Sequence, residues 1–580
     1  GTYRNNEVFP AHPLMLALDD LRQAGSSIHA ITLQPLSTHS LNHLIADTLH
    51  AQTQVVHPLT ELVMQKTQGN PFFATQFLNV LHQEQLITFD YNVGHWLCDI
   101  GQVRGAALTD DAVTLMVWQL QKLPQATQEI LKLAACLGAQ FDLKTLAIVS
   151  EKSQIENAIA LWKALQAGFI LPTNQIYKFF QDAEIFDARN TVNSNYHFLH
   201  DRVQQAAYSL IADDQKSATH WHIGNLLWQS CLDYQEDRIF DLVNQLNLGK
   251  SVISQPIRKK QLAQLNLQAA QKAKLSAAYK AAQTYCEIGI SLLPTETWQT
   301  DYRLMYALHY YGSESAYLSG NFAQTEELYE MALQYAETSL DRAAIYRIQM
   351  TQYQLQGRNA EAIVIQQKST QLLGWTIPTE PQQIQTSLNT EIATVTQFLE
   401  QQTVASILEQ PKMTDALTEE MLRILQILFY TAWLSGQPTL ALLALAKMTT
   451  LSLHHGNSEM SPFGYVGYGL IANIKLKNIT QSYQYGRMAV KLCEQFDNPD
   501  VRGMTNFFFA ADVHSWKRPL READQYYENA YKYGMDAGNW LTVSFMMMVS
   551  GSDRLTYGKN LEELYQTTQT HVAFFQQIKS

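Results

Sequence analysis

The chain has 580 residues and a formal net charge of −12. That is roughly four domains at ~150 residues each, with the wrong charge sign for a protein whose main partner is nucleic acid, which needs clustered Lys and Arg against phosphate. Only 26 Gly and 16 Pro are present, below the ~12% of an average chain, so long helices with short connections are expected. An apolar content of 46% excludes wholesale disorder, and no run approaches the ~18 apolar residues of a membrane-spanning helix. The five cysteines, Cys98, Cys136, Cys231, Cys286 and Cys493, are scattered without a CxxC pair. They read as reduced core thiols of a cytoplasmic protein. The chain opens on Gly1 inside an already patterned segment, which suggests a fragment of a longer protein.

In chain order, residues 1–36 read as the end of an α/β layer. A strand end at Thr2-Tyr3-Arg4 leads to a helix opened by His12-Pro13, with Leu14, Leu18 and Leu21 on one face. A strand then alternates from Ile28 to Leu33 and stops at Pro35. Residues 37–105 read as a helical lid. Leu41, Leu44, Ile45 and Leu49 recur at helical spacing, Leu59 to Met64 starts a second helix, and Asn70-Pro71 starts a third, with Pro where a missing N–H costs nothing. Leu86–Phe89 and Trp96-Leu97 form a hairpin. Residues 106–212 read as a winged helix, with helices over 111–123, 125–137, 143–149 and 155–167. Strands at 169–171 and 196–198 then make a two-stranded wing.

Residues 213–580 read as helix after helix. The turns Leu318-Ser319-Gly320, Leu355-Gln356-Gly357, Leu434-Ser435-Gly436 and Leu476-Lys477-Asn478 recur, with turn positions 37, 79 and 42 residues apart. Small residues follow at Ala332, Ala362, Ala444, Ala489 and Ala530, where neighbours must approach closely. A period near 40 residues is the signature of a solenoid of tetratricopeptide-like hairpins. Its Tyr-rich helices suggest a recognition face bearing Tyr483, Tyr485 and Tyr526.

Several chemical signals fail on inspection. Gly249-Lys250-Ser251 lacks the first Gly of a phosphate loop, having Asn244 in its place. His39 and His43 share a helix face without an acidic third ligand. His220 and His222 cannot converge on one ion from a helix. Neither a catalytic constellation nor a metal site is expected.

A more specific series remains: Gly1-Thr2-Tyr3-Arg4, His12-Pro13-Leu14, Ile31-Thr32-Leu33-Gln34-Pro35, Gly69-Asn70-Pro71-Phe72-Phe73, and Phe198-Leu199-His200-Asp201-Arg202. In this order and spacing it resembles the AAA-like signal-transduction NTPases of the STAND class. It looks most like the ATPase-plus-repeat region of bacterial multidomain serine/threonine kinase–sensor histidine kinases. The resemblance implies that Arg4 is the sensor arginine facing the terminal phosphate, where a guanidinium separates ATP from ADP by charge-assisted hydrogen bonds. It implies that Gly69 and Pro71 belong to the GxP element, whose proline packs on adenine, and that His200 reaches the ADP β-phosphate.

The phosphate loop and metal-binding carboxylates of such proteins would precede Gly1. The segment is therefore expected to bind ATP/ADP with Mg only when the missing N-terminal half is present, and to have no enzymatic activity alone. Implied partners are a protein or peptide on the repeat array and the flanking kinase domains of the parent chain. Oligomerisation in the ATP state is a further expectation; nucleic-acid binding and membrane insertion are not. Two alternatives stay open: the NTPase-repeat segment of a transcription activator with a C-terminal DNA-binding domain, and a repeat scaffold with a decayed nucleotide site.

Overall fold

In the computed structural model, residues 29, 31–91, 94–105, 112–173, 194–230 and 238–578 are described. The expected α/β remnant, Arg4 included, lies outside them except for its last few residues. The chain is mainly helical with small antiparallel sheets. It divides into two compact units, residues 1–252 and 253–580.

The first unit opens with α1 (Thr38–Leu49), α2 (Thr53–Thr67) and α3 (Pro71–Gln83). They pack through Leu41, Ile45, Val56, Leu59, Val63, Ala74, Phe77 and Leu81, all buried. The helix expected to start at Leu59 starts at Thr53 and carries Pro58 in its second turn, where the missing N–H leaves the Gln54 carbonyl without its i+4 donor. The hairpin β1 (Ile87–Asp90) and β2 (His95–Cys98) follows in the register Ile87↔Cys98 to Asp90↔His95. Then come α4 (Ile100–Gly105), α5 (Ala112–Gln121) and α6 (Gln125–Leu137).

The small sheet beyond α6 has three strands. β5 (Asn195–Phe198) is central, flanked by β4 (Ile170–Pro172) and β3 (Gln140–Asp142). β3 was missed in the sequence because a three-residue strand leaves no periodicity to read. Asp142 ends it and caps α7 (Leu143–Ser150) by accepting from the Thr145 N–H. Ser153 and Glu156 form a capping box at the start of α8 (Gln154–Gln166). α9 (Asp201–Ser209) buries Val203, Ala206 and Ala207 against α5 and α6.

α10 (Asp213–Ser230) and α11 (Ile239–Leu248) were expected to begin the repeats, yet they pack within the first unit. The buried His220 ring bridges the Tyr208 hydroxyl at 2.8 Å and Gln245 Oε1 at 2.7 Å. Gln245 Nε2 donates to the Cys136 carbonyl, also at 2.7 Å. Such polar side-chain ties between helices leave no trace in hydrophobic spacing.

The second unit is a solenoid of helical hairpins: α12 (Pro256–Leu275) with α13 (Tyr279–Ser291); after the short α14 (Thr297–Thr300), α15 (Tyr302–Leu318) with α16 (Phe322–Tyr335); and α17 (Ser339–Leu355) with α18 (Asn359–Leu372). An insertion, α19 (Pro381–Glu400) and α20 (Val404–Leu408), precedes α21 (Ala416–Leu434) with α22 (Pro438–His455). Then come α23 (Ser461–Ile474) with α24 (Ile479–Leu492), α25 (Pro499–Phe508) with α26 (Asp524–Ala537), and α27 (Trp540–Thr556) with α28 (Leu561–Ile578). The insertion explains the doubled spacing between Gly357 and Gly436. Ala332, Ala362, Ala444, Ala489 and Ala530 are all fully buried on second helices, as the close approach of neighbours requires. Six of the seven hairpin turns close through a left-handed residue, Gly at 320, 357, 436 and 558, with Ala277 and Lys477 in the same conformation; α25 passes to α26 through short π and 3-10 turns.

Candidate functional site

Gly69, at φ +76°, precedes α3 because nothing larger fits. The Leu36 N–H donates to the Gly69 carbonyl at 2.8 Å, and a Cβ on Gly69 would collide with the Leu36 carbonyl oxygen. The chain entering the helical region is thus tied to the GxP element. Asn70 caps α3, its Oδ1 accepting from the Phe72 N–H at 3.0 Å and the Phe73 N–H at 3.3 Å. Pro71 at the first helical position is exposed, so its ring presents an apolar face outward.

His200 stands between β5 and α9 as the α9 N-cap. Its Nδ1 accepts the Arg202 N–H at 3.1 Å, so in the neutral ring the proton sits on Nε2, which is the donor side. Asp201 places a carboxylate in the first turn of α9, where the helix dipole favours it.

The structure brings two of these elements together. The His200 ring stacks on Phe72, with centroids 5.6 Å apart and planes 6° from parallel, and packs against Phe73 at 4.9 Å. The residues directly after Gly69-Asn70-Pro71 therefore form the platform for His200. Phe73 is buried and Phe72 half-buried. The sequence signal for this platform was the Phe pair after Pro71, which reads equally well as the start of an amphipathic helix. Arg4 lies outside the described residues.

Gly249 ends α11 against the backbone of Trp221, which a Cβ would overlap; this glycine serves close packing. His39 and His43 meet edge to face at 4.6 Å, and no group of three metal-ligating side chains occurs among the described residues. Burial pushes the Cys136, Cys286 and Cys493 thiols up to about 12, which leaves them unreactive as nucleophiles.

In the second unit, Tyr483, Tyr485 and Tyr526 lie on the second helices α24 and α26, not on an open recognition face. Tyr485 is buried against Tyr468; Tyr483 and Tyr526 pack on Phe509 and His514. Their amphipathic rings fill gaps between hairpins. A polar ladder that sequence reasoning missed runs along first helices instead. Tyr302, Tyr306 and Tyr310 stack down α15 with centroids 5.6 and 6.1 Å apart. The Tyr302 hydroxyl donates to Asp341 Oδ2 at 2.8 Å, and that of Tyr306 to the Asp341 carbonyl at 2.9 Å. Arg347 donates from Nη2 to the Tyr310 hydroxyl at 2.7 Å and from Nε to Glu420 Oε1 at 2.8 Å. Arg423 continues the line to Glu420 and Glu459. Burial, then the neighbouring carboxylates, pushes the Tyr306 phenol well above its ordinary range. The i, i+4 tyrosines were visible in sequence; the partners on α17 and α21 were not.

No protein-family model matches the chain. It is 25% identical, over 94% of its length, to a hybrid signal transduction histidine kinase G from Dictyostelium discoideum, of which it spans 18%. Among solved structures it is similar to a signal transduction ATPase with numerous domains (STAND) protein with a tetratricopeptide repeat sensor from Pyrococcus horikoshii. That likeness has 11% identity and a TM-score of 0.41, covering 95% of this chain and 68% of that one. Among the described residues, no helix is long and apolar enough to cross a membrane.

Proposed function

We propose that this chain is the regulatory segment of a signal-transduction protein. Adenine-nucleotide state at the junction of residues 37–105 and 106–212, together with a protein partner on the helical hairpins, would set the activity of flanking kinase domains. The observation that carries the reading is the stack of His200 on Phe72, immediately after Gly69-Asn70-Pro71. On this reading Pro71 would pack on the base and His200 would reach a phosphate from the same junction. The similarity to a histidine kinase over most of the chain supports the signalling context.

The residues at the junction fit a nucleotide. Pro71 offers an exposed apolar ring for the base, and the Nε2–H of His200 is a hydrogen-bond donor of the kind a phosphate oxygen accepts. Arg4 would add a fixed cation for the terminal phosphate. The bound nucleotide supplies the phosphate charge that differs between ATP and ADP; Mg would require carboxylates from upstream. The Phe72–His200 stack holds the imidazole plane, so a domain swing that parts α3 from α9 would break the phosphate contact and the stack together. Both ligands would then bias one two-state element, which is what coupling requires.

The test is nucleotide titration of the parent protein carrying His200→Ala. One charge-assisted hydrogen bond is worth roughly 1.5–3 kcal/mol, so ADP affinity should fall about ten- to a hundredfold, with a smaller change for ATP. Unchanged ADP affinity would return His200 to a purely capping and packing role.

A further inference from the structure

In the second unit, the turns joining first to second helices lie along one edge of the solenoid, and the connections from hairpin to hairpin lie along the other. The connections on the second edge carry acids. Segments 292–301, 336–338, 456–460 and 493–498 hold Glu296, Asp301, Glu337, Glu459, Glu494 and Asp497 and no Lys or Arg of their own; from the flanking helices, Lys260 pairs with Asp301, Arg423 with Glu459, and Arg342 and Arg502 bond backbone carbonyls of two of the segments. The longer connection 373–415 has a single base, Lys412, against five acids.

On the first edge, cations gather over the last three hairpins. They are Lys475, Lys477, Lys517, Arg518, Arg521 and Lys559, set against Glu522, Asp524, Glu562 and Glu563, with Asp524 paired to Arg554 at 3.0 Å. Helix dipoles do not account for the sorting, because every turn on either edge joins one helix C-terminus to one N-terminus and the two ends offset each other.

The same turns expose large apolar side chains. Trp516 is 61% exposed, Leu555 57% and Leu561 68%, with Leu476 and Ile479 also open. The three turns form one surface: Lys517 Nζ meets Thr480 Oγ1 at 3.0 Å, and the Arg521 guanidinium lies 5.5 Å from the Tyr557 ring. Lys477 adopts φ +53° where the turns at 320, 357, 436 and 558 use glycine.

We propose that this edge is a peripheral docking surface for an anionic lipid bilayer. Lys and Arg set around exposed Trp and Leu match a membrane interface, where cations meet headgroup phosphates while aromatic and aliphatic groups enter the acyl boundary. A nucleic acid would satisfy the cations and leave the apolar groups in water. On a protein of net charge −12, concentrating cations on one edge also fixes orientation, since the acidic opposite edge is repelled.

The experiment is co-sedimentation of the full chain with phosphatidylcholine vesicles, with and without phosphatidylglycerol. Binding is expected only with the anionic lipid and should weaken as salt shortens the Debye length. Each cation near the surface contributes roughly a fivefold factor in partitioning, so Lys475→Glu/Lys477→Glu/Arg518→Glu should lower binding by tenfold or more. Trp516→Ser should lower it while leaving the salt dependence. Lys144→Glu/Lys152→Glu/Lys163→Glu, an equal charge change in the first unit, should leave binding intact, and circular dichroism melts check that each variant folds. Three results would overturn the proposal: no binding to anionic vesicles, equal loss in the two triple variants, or capture of poly-glutamate or an oligonucleotide without vesicle binding.

Discussion

The imidazole of His200 lies parallel to the ring of Phe72, 5.6 Å away, although the two residues stand far apart in the chain. This stack joins the start of α3 to the start of α9, and those are the places where the sequence carries its two nucleotide-related motifs in the described residues.

Phe72→Ala should therefore be felt at α9. Aromatic pairing contributes ~0.5–1.5 kcal/mol beyond area burial, so a loss of about 1–2 kcal/mol in unfolding free energy is expected. Hydrogen exchange should also rise at the first-turn amides of α9, where Arg202 N–H bonds to the His200 ring. Urea denaturation and peptide-level exchange read both. A stability loss without faster exchange near Arg202 would mean that Phe72 supports only α3.

Gly69→Ala should cost more than an alanine at another left-handed turn. The residue is at φ +76° and its Cβ would strike the Leu36 carbonyl oxygen, whereas Gly320 at φ +79° faces open space. Backbone strain alone is about 1 kcal/mol at both positions; the collision adds to it only at Gly69. Thermal melts of the two variants should differ by at least ~1 kcal/mol, with Gly69→Ala the weaker protein. Equal melting temperatures would mean that residues 36 and 69 separate freely.

How far the sequence disclosed this arrangement depended on the kind of force involved. Helices α1, α3, α6, α8 and α9 were legible because Leu41/Ile45, Asn70-Pro71 and Val203/Ala206/Ala207 write packing and capping into local spacing. The hairpin repeat was legible from Gly320, Gly357 and Gly436 and from the buried alanines opposite them. Strand β3 was not, because its pairing with β5 is set by tertiary register. Assignment of α10 and α11 to the first unit was hidden as well, since it rests on long-range hydrogen bonds such as His220 to Gln245. The tyrosines show the limit most clearly. Their composition suggested recognition, yet Tyr485 is core, and the polar ladder through Tyr310, Arg347 and Glu420 emerges only when three helices are placed side by side.

That ladder gives a third prediction. Arg347 and Glu420 are a largely buried pair, with the Glu420 side chain 4% exposed. Removing one partner strands the other charge in a poorly solvated site, which typically costs 3–5 kcal/mol. Glu420→Ala should lower stability by about 3 kcal/mol, and Arg347→Met in that background should recover part of the loss. A double variant less stable by the sum of the two single losses would show that the two residues act independently.

The last prediction concerns pH. Asp512 sits in the π-helical turn Phe509–Val513 that follows α25. Burial, and then the charge of Asp553 on α27, pushes its carboxyl up to about 6. Asp553 accepts a 2.6 Å hydrogen bond from the Tyr527 hydroxyl, which fixes the position of the side chain that Asp512 faces. A carboxyl with a raised folded-state value binds its proton more tightly in the native protein than in the unfolded chain. Its contribution to stability is complete below the unfolded value near 4 and is lost as pH rises through about 6. Above that, folding leaves an ionised, poorly solvated Asp512 beside Asp553, a cost of about 2–3 kcal/mol at ~1.4 kcal/mol per pKa unit. Asp512→Asn removes the charge while keeping the shape. It should stabilise the protein at pH 8 by about that amount and change little at pH 4, where the native carboxyl is already neutral. Paired urea melts at the two pH values measure the difference directly; equal stabilisation at both would show that the asparagine gains a hydrogen bond and that Asp512 does not titrate in this window.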